Sequence, residues 1–162
     1  MLVRPATPED AAAVAEIHTV SWGGPSVVGH GVTYDLRRLP TLVAIADGRI
    51  AGVLTYAVER DSFEIVSIDA AQPRHGVGTA LLAAATATAR ELGLRRVWLV
   101  TTNDNLDALR FYQRRGLRLV GLAPGAVDRS RRVKPSIPEV GAYGIPLRDE
   151  LTLETTLEPS AG

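Results

Sequence analysis

Apolar residues recur at Ala13, Val14, Ile17 and Val20, one face of a helix with about 3.6 residues per turn. Just ahead, Thr7-Pro8-Glu9-Asp10 offers a hydroxyl cap, a first-turn proline and two acids at the positive end of the dipole. Residues 21–40 break this pattern with glycines, prolines and Trp22, and predict an irregular segment with a short helix near residues 35–39. Three strand-like runs then follow at residues 42–46, 50–58 and 63–70, separated by the tight turns Asp47-Gly48 and Arg60-Asp61. The third run alternates through Phe63 and Ile65, then resumes after Val66 at Ile68. Short turns between strands predict an antiparallel meander.

The period changes again beyond residue 77. Leu81, Leu82, Ala85, Ala89 and Leu92 share one helical face over residues 78–92, and Gly93 supplies a stop. Residues 97–100 read as a short buried strand. Residues 105–115 form a second helix with Leu106, Leu109 and Tyr112 in line, closed by Gly116. Strands are expected at residues 117–122 and 151–157. Residues 123–149 carry four prolines and three glycines and are long for a connection, so this stretch and residues 21–40 are expected on the substrate side.

Composition narrows the function. The chain has 162 residues, enough for one domain with its own core, and its 18 basic and 18 acidic side chains cancel. That balance disfavours a partner held by bulk phosphate attraction, so no nucleic acid is expected. The absence of cysteine removes disulfides, thiolate metal sites and a cysteine nucleophile, and no metal is expected. No apolar run approaches the roughly 20 residues of a membrane span, and the first residues lack a signal-peptide pattern. A soluble, cytoplasmic, single-domain protein (residues 1–162) without a membrane partner is the expectation. Lys134 is the only lysine, from which no function follows.

The stretch from Val66 to Leu82 carries the chemistry. A strand runs into a turn with Gly76 and Gly78, which opens onto a helix. Glycine lets a ligand approach the backbone, and the first N–H groups of a helix form an anion site suited to a phosphate. Arg74 and His75 could add charge or hydrogen bonds. A P-loop would need a Gly-Lys-Ser/Thr sequence, which is absent. A dinucleotide turn would want a third glycine where Leu81 stands, and would follow a first parallel strand. A nucleotide-dependent oxidoreductase is therefore disfavoured; the pyrophosphate of coenzyme A is the third reading.

This stretch resembles the coenzyme-A-binding motif of the GNAT superfamily of N-acetyltransferases, Gln/Arg-x-x-Gly-x-Gly/Ala, with Gly76 and Gly78 as its small positions. Pro73 stands in the first slot, flanked by Gln72 and Arg74. Residues 105–117 resemble the family's second pattern, Asn-x-x-Ala-x-x-x-Tyr-x-x-x-Gly-Phe, with Asn105, Ala108, Tyr112 and Gly116 in place and Leu117 at the phenylalanine. Asn105 is also a favourable helix cap by residue type. The resemblance spans residues 50–120, and the order of elements extends it over nearly the whole chain.

The resemblance implies an α+β fold with a central, mostly antiparallel sheet of about six to seven strands. Helices would flank this sheet, and it would splay at the cofactor cleft beside the strands from Phe63 and Val97. It implies acetyl-CoA as co-substrate and an amine of a small molecule or peptide as acceptor, attacked directly on the thioester. Val66, Ser67 and Ile68 would lie on a bulged strand beside the thioester, its backbone donors on the carbonyl. Arg74, His75, Gly76, Val77, Gly78, Thr79 and Asn105 would hold the cofactor, and Tyr112 would protonate the departing thiolate. A free alkylammonium has a pKa of about 10, so a base is needed at neutral pH; Glu64 is the first candidate, ahead of Asp69, the other reading being a solvated strand residue. His18 and His30 read as structural, His30 lying in a candidate substrate segment. Arg129, Arg131, Arg132 and Lys134 read as a solvated loop or an attractor of acidic partners. Many relatives pair, so a homodimer is expected. The alternative to an enzyme is a GNAT-like module that binds an acyl-CoA as a sensor without turnover.

Overall fold

The computed structural model describes residues 1–71 and 76–158. In chain order its elements are β1 (Leu2–Pro5), α1 (Ala11–Trp22), β2 (Ser26–Gly29), β3 (Val32–Asp35), β4 (Thr41–Ala46), β5 (Arg49–Glu59) and β6 (Ser62–Ala70). Then come α2 (Val77–Glu91), β7 (Arg96–Thr102), α3 (Leu106–Arg114), β8 (Arg118–Ala123), α4 (Ala126–Val133) and β9 (Glu150–Thr156). This is a mixed α+β chain, and the pairings β1–β4, β4–β5, β5–β6 and β8–β9 are all antiparallel. The residues group into two compact units, one of Met1–Val27, Asp35–Val97 and the chain from Leu157, the other of Val28–Tyr34 and Trp98–Thr156.

In the first unit the strands lie in the order β1-β4-β5-β6. The meander is as expected, with tight turns at Asp47-Gly48 and Arg60-Asp61, where Asp47 and Arg60 take left-handed backbone angles. Antiparallel partners point to one face, so the register sorts the side chains without ambiguity. Thr41, Val43, Val53, Thr55, Ala57, Glu64, Ser67 and Asp69 share one face; Leu42, Leu54, Tyr56, Phe63, Ile65 and Ile68 share the other. Helix α1 covers the first face, where Ile17 packs with Val43 and Val53. Helix α2 covers the second face. A Cβ added to Gly52 would lie 2.5 Å from the Val77 side chain and 3.1 Å from that of Leu81, so glycine there lets α2 sit close on β5. Phe63, Leu54, Leu81 and Val77 are fully buried, each side chain contributing about 1.5–3 kcal/mol.

Helix α1 begins one turn later than its cap. Pro8–Asp10 is a single 3-10 turn, and Asp10 accepts from the Thr7 backbone N–H at 2.7 Å and from Arg4 at 2.7 and 3.1 Å. Ala13, Val20 and Leu92 leave their expected faces and are exposed. In place of Val20, the buried residues of α1 are Ile17 and His18.

In the second unit the strand order is β7-β9-β8. Residues 21–40 are more regular than their composition suggests, since β2 and β3 form a two-stranded ribbon ahead of the short helix Leu36–Arg38. Residues 123–149 likewise contain α4, on which only Ala126, Val127 and Ser130 are buried. Among the described residues no helix is long and apolar enough to cross a membrane, and no group of three or more His, Cys, Asp or Glu side chains is placed to hold a metal.

Candidate active site

Strand β6 is not regular. Thr55 pairs with Ser67 while the next residue, Tyr56, pairs with Ile65, so Val66 is an extra residue with no partner on β5. This is a β-bulge, which leaves backbone groups outside the ladder and re-aims the neighbouring side chains. Residues two apart normally share a face, yet the bulge sends Ile65 and Ser67 to opposite faces. It also places Glu64, three residues away, on the same face as Ser67. The resumption of the alternation at Ile68 was the trace of this bulge in the sequence.

Glu64 is buried, which removes its reading as a solvated strand residue. Ser67 is 3% exposed, and its Oγ is a buried side-chain atom without a hydrogen-bond partner among the described residues. On the same face His18 lies 3.4 Å from the Thr55 hydroxyl, and burial lowers the pKa of its imidazole, favouring the neutral ring. The Trp22 indole donates to Asp69 at 2.8 Å. Burial raises the pKa of the Asp69 carboxyl, outweighing the lowering by its hydrogen bonds with Trp22 and Ser21. A carboxyl whose pKa rises on folding favours the folded state most at low pH, and that contribution is lost as pH climbs through the folded value. Asp69→Asn keeps an acceptor for the indole and removes the half-buried charge. Its urea midpoint is expected above that of the parent at pH 7 and level with it at pH 3, as read in equilibrium unfolding at the two pH values.

Beyond β6, Gly76 takes a φ of +92° immediately before α2, and a Cβ there would meet nothing within 4 Å. The first intrahelical bond is from the Ala80 N–H to the Gly76 carbonyl at 2.8 Å. The N–H groups of Val77 and Gly78 lie ahead of that bond at the start of the helix, the position that suits anion binding. Arg74 and His75, with Gln72 and Pro73, lie outside the described residues.

The second unit holds the other two predicted residues. Asn105 stands at the start of α3, but its side chain makes no capping bond and donates instead to the Thr101 hydroxyl at 3.1 Å. Helix α3 opens on main-chain contacts, the Leu106 N–H bonding the Asp104 carbonyl at 2.9 Å. Tyr112 is buried in the last turn, edge-on to Phe111 at 5.3 Å between ring centres, and Leu106, expected in line with it, is exposed. His30 packs against Trp98 and Tyr34, and its backbone N–H donates to Glu150 at 3.1 Å.

The basic cluster is not uniformly solvated. Arg131 is largely buried and donates to the carbonyls of Ile137, Pro138 and Leu147 at 3.0, 2.8 and 2.7 Å. Asn103 accepts from the N–H groups of Arg148 and Asp149, and Asp104 accepts from Ala142. Residues 134–149 are thus a built segment, tied down at several points. Residue type alone did not reveal this, because three of the four cations look alike in sequence.

Residues 12–117 match the model of the acetyltransferase (GNAT) family. The chain belongs to the GNAT acetyltransferase family. Among relatives, the Bacillus subtilis (strain 168) protein YxbD, itself uncharacterized, is 41% identical over 138 residues, 85% of this chain and 87% of that one. Streptothricin acetyltransferase of Streptomyces lavendulae is 38% identical over 88 residues, 51% of this chain and 46% of that one. Among solved structures, a GNAT family acetyltransferase of Elizabethkingia anophelis with acetyl-CoA bound superposes with a TM-score of 0.67 at 18% identity, covering 96% of this chain and 97% of that one. The GNAT fold expected from the two motifs is therefore the fold observed. The GNAT motifs directed attention to main-chain donors at residues 66–68; the aim of the Ser67 side chain was not foreseen, since it depends on the bulge.

Proposed function

We propose that the protein transfers an acetyl group from acetyl-CoA to an amine nitrogen, by direct attack on the thioester. The observation that carries this reading is the bulge at Val66, in the strand that leads to the Gly76 turn and the start of α2. A regular ladder has no reason to carry an extra residue there; a reaction that builds charge on a carbonyl oxygen does, because loosened N–H groups can meet that charge.

The residues present fit the co-substrate. At the start of α2, Val77, Gly78 and Thr79 would hold the pyrophosphate; Arg74, His75 and Asn105 are the further candidates for holding the cofactor. Acetyl-CoA, when bound, supplies the activated acetyl group. The main chain at Val66, Ser67 and Ile68 would orient the thioester and stabilise the carbonyl oxygen. Glu64 would take one proton from the acceptor ammonium; as the C–N bond forms and the C–S bond breaks, Tyr112 would give its phenolic proton to the sulfur and be reprotonated by the second proton that the nitrogen loses. With no cysteine in the chain, an acyl-cysteine route is closed.

Turnover of acetyl-CoA against a panel of amines tests the reading. The panel should hold streptothricin, a peptide beginning with alanine and simple alkylamines. Release of free thiol with at least one amine is expected. Tyr112→Phe should lower kcat by about tenfold to a hundredfold, a modest effect because a phenol near pKa 10 is a weak donor to a thiolate near 8.5. Tight acetyl-CoA binding with no turnover on any amine would favour the sensor reading instead.

A further inference from the structure

Strand β6 presents Glu64, Ser67 and Asp69 on one face, the face covered by α1. Same-face residues on a strand stand about 7 Å apart, so the serine hydroxyl lies between two carboxyl-bearing side chains. The polar neighbours on this face are already bonded: Thr55 to His18 and Asp69 to Trp22. The Ser67 Oγ, almost fully buried, has no such bond among the described residues. A buried hydroxyl left without a partner costs stability, on the order of 1–3 kcal/mol, so its presence calls for a partner that comes from outside the chain.

We propose that the Ser67 side chain binds the nitrogen of an ammonium-bearing ligand on the α1-facing side of β6, its Oγ accepting an N–H, with Glu64 and Asp69 selecting a primary ammonium over neutral or anionic groups. The acetyl-transfer reading enters only in calling that ligand the acceptor. Ser67 then has two separate tasks: its main chain serves the thioester side and its side chain the amine side.

The test uses the full chain and n-butylammonium chloride as probe, with n-butanol and butyrate as controls. Saturable thermal stabilisation by butylammonium alone is expected, and Ser67→Ala should need about tenfold more of it, the scale of a hydrogen bond to a charged group. Without ligand, Ser67→Ala should melt about 2–4 °C higher, since it loses only the unsatisfied hydroxyl. For any amine found to be acetylated, its KM should rise about tenfold in the variant while the KM for acetyl-CoA stays level. Should Ser67→Ala fail to fold, Ser67→Cys, close in size and a poor acceptor, carries the same ligand and KM readouts. A variant that melts lower and binds butylammonium unchanged overturns the proposal. Acetylation with an unaltered amine KM also overturns it while leaving the acetyl-transfer reading intact. Ser67-dependent ammonium binding without acetylation of any amine upholds it and removes that reading.

Discussion

Replacing Glu64 by glutamine is expected to lower kcat/KM at pH 7 by about 10²- to 10⁴-fold, equivalent to about 3–5 kcal/mol of barrier. The substitution changes one oxygen to nitrogen at a buried position, so the fold should be kept. What it removes is the proposed proton acceptor. A primary amine near pKa 10 is about 0.1% unprotonated at pH 7, and without a base only that fraction can attack. The activity of the variant should therefore climb about tenfold per pH unit from 7 towards 9, while that of the parent rises less steeply and the gap narrows. Steady-state rates of thiol release across that range measure both slopes. Equal rates for the two proteins at pH 7 would take Glu64 out of the mechanism.

Deleting Val66 should abolish most activity without unfolding the protein. The residues flanking it already pair with consecutive positions on β5, Ile65 with Tyr56 and Ser67 with Thr55. Removing the extra residue joins them in a regular ladder and leaves Glu64, Ser67 and Asp69 on their present face. Most single-residue deletions in a strand slip the register and turn half of it inside out; this one repairs a register. The thermal midpoint is accordingly expected within a few degrees of the parent, while the rate falls about 10²- to 10³-fold through loss of the loosened N–H groups. Melting curves and rates on the same preparation separate the two effects. A deletion variant with full activity would show that the bulge serves packing alone.

Much of this architecture was legible in the chain, for reasons that can be named. The meander β4–β6 announced itself through apolar runs between two-residue turns, and α2 through Leu81, Leu82, Ala85 and Ala89. What escaped were elements with little apolar surface of their own. Strand β1 is four residues with Arg4 and Pro5 among them, and β2–β3 is interrupted by Gly29, His30 and Gly31. Helix α4 is mainly polar and buries only Ala126, Val127 and Ser130, so its period carries almost no hydrophobic signal. In the candidate site, the glycine turn and the two motifs were readable as patterns. The facing of Ser67 was not, because it follows from a pairing between two strands and no single stretch contains it.

The anchors of residues 134–149 have a consequence for how this surface can change over generations. Arg131, Asn103 and Asp104 grip carbonyl and N–H groups of the main chain, which every residue type possesses. The path of the segment is thereby uncoupled from most of its own side chains. Gly141 is an exception, since a Cβ there would run into Asp104. Elsewhere in the segment, mutation can exchange charge, size and polarity on the outer surface while the course of the backbone stays fixed. A catalyst built this way can drift towards new surface chemistry one substitution at a time, without first surviving a loss of structure.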